Sequence, residues 1–253
     1  MKIVAVIQAR MGSTRLPGKV MKEVVGKPVL ELLIERLRHS KLINQIVVAT
    51  TSHKKDDVIV DLCKKLGINY FRGSEDDVMG RVLGALKQYG ADAGVEIYGD
   101  CPLIDPSIVD SIIQYYIRNI GKYDFVSNDI KTTYPPGLET EVYSASAFAD
   151  AADRTSDPEI REHSTLYMRQ HPELYRLHNI EAPPELHYPE TYIELDTPED
   201  FKVIKTIYES LYGEGKIFSA QEILDFLKQN PHIAEQNRRV ERRWKKYRKE
   251  ADV

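Results

Sequence analysis

The strongest constraint on this chain is a rhythm. Through the first half, short apolar runs that read as buried strands alternate with stretches of helical periodicity. Residues 2–7, 46–50, 70–71, 95–98 and 125–127 read as strands, and residues 28–39, 56–66, 77–89 and 106–119 as helices. Each predicted helix has a start signal: Pro28 and Pro106 suit a first-turn position, and Asp56, Asp57, Asp76 and Asp77 favour the positive end of a helix dipole. Alternation at this interval requires right-handed crossovers, which give a mostly parallel sheet covered on both faces. The expected architecture is therefore α/β, a doubly wound, Rossmann-like sheet that binds ligands beyond the carboxyl ends of its strands.

The first strand runs into Gln8-Ala9-Arg10-Met11-Gly12-Ser13-Thr14-Arg15-Leu16-Pro17-Gly18-Lys19. Two glycines, two hydroxyls and three cations in one loop suit an anion. Glycines let backbone N–H groups turn inward, Arg forks onto two phosphate oxygens, and Lys acts as a movable point charge. The loop is not a P-loop: five residues rather than four separate Gly12 from the Gly18-Lys19 pair, and Val20 stands where a metal-binding Ser or Thr would be. It reads as a triphosphate cradle of another design, with Ala9, Arg10, Gly12, Ser13, Arg15 and Lys19 as nucleotide-binding residues. A polar surface turn is the plainer explanation, but such turns rarely concentrate Arg10, Arg15 and Lys19 between glycines.

Two aspartates stand just past other extended runs, in Gly99-Asp100-Cys101-Pro102 and in Glu194-Leu195-Asp196-Thr197-Pro198. Mg²⁺ takes one or two carboxylates alongside phosphates and waters, so Asp100 and Asp196 are candidate metal ligands. Asp196 also suits the cap of a helix opened by Pro198. In Arg72-Gly73-Ser74-Glu75-Asp76-Asp77, backbone groups and Arg72 suit a nucleobase or ribose, while a plain cap explains Ser74 and Asp76 equally well. Cys101 reads as a small packed residue, since no histidine accompanies it nearby in sequence.

After Asn128 the rhythm changes. Tyr134-Pro135-Pro136-Gly137 reads as a stiff turn, and residues 138–143 as a strand with one polar face. A helix is expected over 156–170, an extended run over 176–180, a returning strand over 192–195, and a helix from Thr197 to about Tyr212. Ser219-Ala220-Gln221-Glu222 is a capping box that opens a terminal helix. The formal charge of −4 gives no global reason to expect a nucleic-acid or membrane partner, and the two cysteines make no disulfide framework. With no signal sequence and no membrane-length apolar run, a cytoplasmic protein is expected. A basic tail holds Arg238, Arg239, Arg242, Arg243, Lys245, Lys246, Arg248 and Lys249; it reads as a solvated helix or a subunit contact, without a functional role.

Several of these segments carry a family resemblance. Residues 7–19, then Gly26-Lys27-Pro28-Val29-Leu30, look like the start of the cytidylyltransferases that make CMP-activated sugar acids, the acylneuraminate and 3-deoxy-manno-octulosonate cytidylyltransferases. The Gln-Ala-Arg-Met form is closest to the spore coat polysaccharide biosynthesis protein F branch. Residues 73–77, 99–105, Glu162-His163 and Asp196-Thr197-Pro198-Glu199-Asp200-Phe201 resemble that branch in order.

The resemblance implies a nucleotide-diphospho-sugar transferase-like domain over 1–212 with a dimerisation arm at about 130–190, a helical extension over 213–253, a homodimer, and CTP with Mg²⁺. By that likeness Arg10, Arg15 and Lys19 hold the triphosphate, Arg72 and Ser74 lie near the base, and Asp100 and Asp196 bind the metal. Lys19, Arg10 and Asp100 are then the catalytic group. Glu-His lies next to the acceptor, so His163 is an acceptor-binding candidate. Glu139 and Glu141 join it, because side chains two apart on a strand share a face. Two departures bear on the acceptor: Tyr192-Ile193-Glu194-Leu195 lacks a central Trp-Thr pair, and Val78-Met79-Gly80-Arg81 lacks the usual acidic and aromatic residues.

The expected reaction is attack of an acceptor oxygen on the α-phosphorus of CTP, with pyrophosphate leaving in line. The expected acceptor is a 3-deoxy-2-keto sugar acid, with a sugar or polyol phosphate as the alternative. A nucleotide-sugar-dependent glycosyltransferase is a rival, but the chain contains no Asp-x-Asp triplet. A catalytically inactive nucleotide-binding subunit is another, against which the intact loop and both aspartates count.

Overall fold

The computed structural model describes residues 1–247; Arg248 and Lys249 of the basic tail lie outside them. The chain begins with β1 (Ile3–Gln8), a small hairpin of β2 (Glu23–Val24) and β3 (Lys27–Pro28), and α1 (Val29–Leu37). Alternation continues through β4 (Gln45–Thr51), α2 (Asp57–Leu66), β5 (Asn69–Gly73), α3 (Val78–Gln88), β6 (Ala93–Tyr98), α4 (Pro106–Arg118) and β7 (Phe125–Ser127). The second half supplies β8 (Glu141–Ser144), α5 (Ala145–Arg154), α6 (Pro158–Arg161), α7 (Leu166–Gln170), β9 (Leu177–Asn179), α8 (Pro198–Leu211), α9 (Ala220–Gln229) and α10 (Pro231–Ala234).

Seven strands form one sheet in the order β5-β4-β1-β6-β8-β7-β9. Only the pairings of β8 with β6 and β7 are antiparallel, so the doubly wound, mostly parallel expectation holds. The two faces follow from the two-residue period of a strand. In β1, Ile3, Ala5 and Ile7 pack into the core under α1, α2, α4, α8 and α9, while Val4 and Val6 pack into the core under α3 and α5.

The segment expected as an arm behaves differently from its sequence pattern. Residues 138–143 do not show a polar face to solvent: Glu139, Thr140 and Glu141 are buried, and β8 lies inside the sheet. Several of their polar atoms are met internally: Tyr98 Oη donates to Glu141 Oε1 at 3.0 Å and Asn128 Oδ1 accepts from the Thr140 amide at 2.8 Å. The helix expected over 156–170 is two short helices, α6 and α7, with His163 in the turn between them. Residues 192–195 are extended but join no strand ladder; the Ile193 amide donates to the Pro136 carbonyl and the Leu195 amide to the Asp100 carbonyl, at 2.8 and 2.7 Å. Gly137, at φ +113°, permits this crossing, because a Cβ there would lie 2.6 Å from the Ile193 carbonyl carbon.

Residues beyond 212 pack onto the same core. Ser219 opens α9 with the expected capping box, and Phe218, Ile223, Leu227 and Ile233 join the cluster beneath α1 and α4. Buried Arg36 bonds the Ile104 and Phe218 carbonyls at 2.6 and 2.7 Å, tying this region to the strand ends.

Candidate active site

The site lies where the doubly wound pattern places it, beyond the carboxyl ends of β1 and β6. These strands pair Gln8 with Tyr98 at their last residues, so the loops that follow start side by side. Gly99 allows it: its amide donates to the Gln8 carbonyl at 2.9 Å, and a Cβ would sit 2.4 Å from that oxygen. The cationic loop is closed on itself by the Gly18 amide on the Met11 carbonyl at 3.1 Å, with Gly18 at φ +67°. It is fastened to the sheet by the Met11 amide on Asp56 Oδ1 at 2.7 Å.

Lys19, opening the short 3₁₀ turn after this loop, reaches both candidate metal ligands. Its Nζ lies 2.7 Å from Asp100 Oδ2 and 2.9 Å from Asp196 Oδ1, and Arg15 reaches Asp196 Oδ2 at 2.5 Å. Burial opposes charge on Lys19, but Asp100 and Asp196 outweigh it and raise its pKa. Burial also works against the Asp196 carboxylate, yet Lys19 and Arg15 hold its pKa below the usual range. Two carboxylates distant in sequence thus converge on one cation. Asp196 is not the cap of α8; Thr197 is, in a reciprocal capping box with Asp200.

A cavity of about 510 Å³ opens over this junction, within the ~300–1,000 Å³ range of small-molecule sites. Ala9, Arg10, Gly12, Ser13, Arg15, Lys19, Asp100, Asp196, Glu139 and His163 all line it. Arg10 donates to the Glu75 carbonyl at 3.1 Å and lies 3.7 Å from Glu162. Glu139 accepts from the Gly137 amide at 2.7 Å. Burial and then the Glu139 charge push the neighbouring Glu194 up to about 8, and burial lowers the His163 pKa.

Three expected site residues stand elsewhere. Arg72 turns away, donating to the Thr51 and His53 carbonyls at 2.9 and 3.0 Å and pairing with Asp57 at 2.7 Å. Ser74 accepts from the Asp77 amide at 3.1 Å, the local turn role. Glu141 is fully buried behind the wall and meets the cavity through lining residues such as Arg169, 2.9 Å away, and Tyr98.

The structure adds residues that the sequence did not single out. Arg81 lines the cavity and donates to the Ser74 carbonyl; it belongs to a helix segment noted only for what it lacks. Arg169 lines the cavity and pairs with Asp129 at 3.0 Å as well as with Glu141. Gln8 donates to Glu96 and, at 2.8 Å, to Ser164. The tail read as functionless sends Arg243, Trp244 and Tyr247 into the same wall. No local pattern marks Arg169, whose position depends on how β7, β8 and α7 meet.

A cationic loop facing paired carboxylates at the ends of a doubly wound, mostly parallel sheet suits a nucleotidyltransferase. The cytidylyltransferase family model matches residues 4–241, and the chain belongs to that family, enzymes that use CTP as nucleotide donor. It is 35% identical over 237 residues to the spore coat polysaccharide biosynthesis protein SpsF of Bacillus subtilis, covering 92% of this chain and 96% of that one. It is 34% identical over 123 residues to a 3-deoxy-manno-octulosonate cytidylyltransferase of Trichlorobacter lovleyi, about half of each chain at 48% and 47%. Among solved structures, a cytidylyltransferase from Leptospira borgpetersenii superposes with a TM-score of 0.88 at 33% identity, covering 96% of this chain and all of that one.

Proposed function

We propose that the protein transfers CMP from CTP to a sugar acid, releasing pyrophosphate, in the synthesis of a surface polysaccharide or glycan. The observation that carries this reading is the Lys19 ammonium spanning Asp100 and Asp196 at 2.7 and 2.9 Å. A cation and two carboxylates meeting in one cavity suit a reaction that gathers negative charge on a leaving pyrophosphate. The relatives support the acceptor class: one is named for spore coat polysaccharide synthesis, another for 3-deoxy-manno-octulosonate.

Asp100 and Asp196 fit Mg²⁺. Their oxygens already converge on a single cationic atom, Lys19 Nζ, and a pair of carboxylates is the usual protein share of a Mg²⁺ site completed by phosphates and water. No larger cluster of metal-ligating side chains occurs among the described residues. Bound there, Mg²⁺ would polarise the α-phosphate and neutralise charge developing on it. Arg10, Arg15 and Lys19 then hold the β- and γ-phosphates and stabilise them as they leave. The same carboxylates that raise its pKa keep Lys19 cationic. Glu139 and His163 line the cavity as acceptor contacts, and Arg169, held by Asp129 and Glu141, adds a fixed cation for the acceptor carboxylate.

Pyrophosphate release measured across CTP, ATP, GTP and UTP, each with a panel of sugar acids and sugar phosphates, tests the proposal. Release with CTP and a 3-deoxy-2-keto sugar acid is expected. Release with a sugar phosphate alone, or equal release from all four nucleotides, overturns it.

A further inference from the structure

The last described segment of the chain enters the cavity, and nothing in the reaction above gives it a task. It is held firmly. The Arg242 side chain, 1% exposed, pairs with Asp200 at 2.9 Å and with Glu194 at 3.2 Å, and lies 4.3 Å over the Tyr192 ring. Asn237 Nδ2 donates to the same Asp200 at 2.8 Å and to the Tyr192 carbonyl at 3.0 Å. A buried, hydrogen-bonded ion pair is costly to break once formed, so Arg242 is an anchor that fixes where the next residues go.

Beyond the anchor, the Trp244 indole donates from Nε1 to Glu194 Oε1 at 2.8 Å. The Tyr247 ring lies 4.3 Å from His163, tilted by 48°. Both aromatic residues are half-buried and line the cavity, with Arg243 beside them. Aromatic side chains of this kind present a flat apolar face with a polar tip, suited to the C–H face of a sugar ring whose hydroxyls are bonded around its rim. The position favours the acceptor, because Tyr247 lies against His163 and Trp244 bonds Glu194 beside Glu139, and His163 and Glu139 are the proposed acceptor contacts. Sheet order puts β4 and β5 on one side of β1, and β6 and β8 on the other. Glu194 and its neighbour Glu139 belong to the β6–β8 side, where the Leu195 amide joins the Asp100 carbonyl.

We propose that this tail forms the aromatic wall of the acceptor subsite: Trp244 and Tyr247 pack against the ring of the sugar acid, and Arg243 stands at its rim. The inference rests on the sugar-acid reading above and adds the segment that selects the acceptor. A segment rich in basic residues, set on an acidic protein, thereby acquires a site-specific role.

Trp244 is the only tryptophan in the chain, so its emission reports on the subsite directly. The full-length protein, saturated with Mg²⁺ and the non-transferable α,β-methylene analogue of CTP, is titrated with 3-deoxy-manno-octulosonate and with N-acetylneuraminate. A saturable change in Trp244 emission is expected with at least one of them. For the acid that supports pyrophosphate release, Trp244→Ala and Tyr247→Ala are expected to raise its KM at least tenfold while CTP affinity by calorimetry stays within twofold. Trp244→Phe, which keeps a ring face, recovers at least a fivefold share of that loss. Flat emission with both acids, an unmoved acceptor KM, or a parallel loss of CTP affinity overturns the proposal. Pyrophosphate release with flat emission removes the tail assignment and leaves cytidylyl transfer standing. A saturable emission change without release supports the tail assignment and removes the transfer reading.

Discussion

Lys19 sits between two carboxylates that would otherwise repel each other across the ends of β1 and β6. In the proposed reaction, removing it takes a positive charge from the leaving pyrophosphate, and it leaves Asp100 and Asp196 facing each other. Lys19→Ala is expected to lower kcat by about 100-fold or more, the scale seen when one transition-state donor is lost, with weaker CTP binding by calorimetry. Asp196→Asn should cut turnover as sharply yet leave the melting temperature near that of the wild type, because Thr197 rather than Asp196 caps α8. Unfolding of Asp196→Asn with undiminished specific activity would contradict this. Glu96 makes a different prediction. It is fully buried, bonded by Gln8 and by Tyr143 Oη at 2.5 Å, and burial raises its pKa from 4.5 to about 7. The folded protein therefore keeps a proton that the unfolded chain releases, so stability is full below about pH 4.5 and falls as pH rises through about 7, by up to ~3 kcal/mol. Glu141, raised to about 7, and Glu194, raised to about 8, act with the same sign. Urea unfolding between pH 5 and 8 should show this decline, and Glu96→Gln should flatten it; an unchanged slope contradicts the assignment to Glu96.

The helices of the first half were legible because each carries both an apolar face and a start signal that act locally. The observed α1, α2, α3 and α4 fall within a residue or two of the ranges read from periodicity. The second half was less legible, and for a physical reason. Alternation in residues 138–143 looked half-exposed, but β8 is an interior strand whose Glu141 is met by Tyr98 and Arg169 from distant elements. Local pattern cannot register a polar partner supplied from elsewhere in the fold. α5 was missed for a similar reason: its alanine-rich sequence has few large apolar residues to mark a face, and Phe148 does most of the packing. The α8 capping box, by contrast, is both local and structural. Thr197→Ala should cost about 1 kcal/mol in chemical denaturation. Asp200→Ala should cost more, about 3–5 kcal/mol, because it also strands buried Arg242. Equal losses for the two would show that the Arg242 anchor contributes little.

At the scale of the whole molecule, the cationic loop was readable because one contiguous stretch supplies it, while the facing wall was readable only in part: Glu139 and His163 were expected there, Arg169 and Trp244 were not. Asp100, Glu139, His163, Arg169, Asp196 and Trp244 come from six separate stretches, and only the closed fold brings them to one cavity. Arg72 and Ser74 show the converse: the residue types suited a nucleoside, but nearer partners at Thr51, His53, Asp57 and Asp77 claim them. No helix among the described residues is long and apolar enough to cross a membrane. Assembly follows from the other end of the sheet. Strand β9 is an edge, and beside it Tyr115, His178 and Tyr123 stack with ring centroids 4.6 and 4.7 Å apart next to exposed Ile120. An open edge with an aromatic flank suits a second copy of the chain, and light scattering is expected to give a homodimer; a monomer with full activity contradicts it. If the proposed transfer occurs, bond cleavage falls between the α- and β-phosphates of CTP and the CMP moiety passes to a sugar acid, which ³¹P NMR of a reaction containing CTP, Mg²⁺ and 3-deoxy-manno-octulosonate reads out. The CTP signals are expected to give way to pyrophosphate and a single phosphodiester resonance. Formation of CDP and inorganic phosphate, or a CTP spectrum unchanged beside active control enzyme, would contradict it.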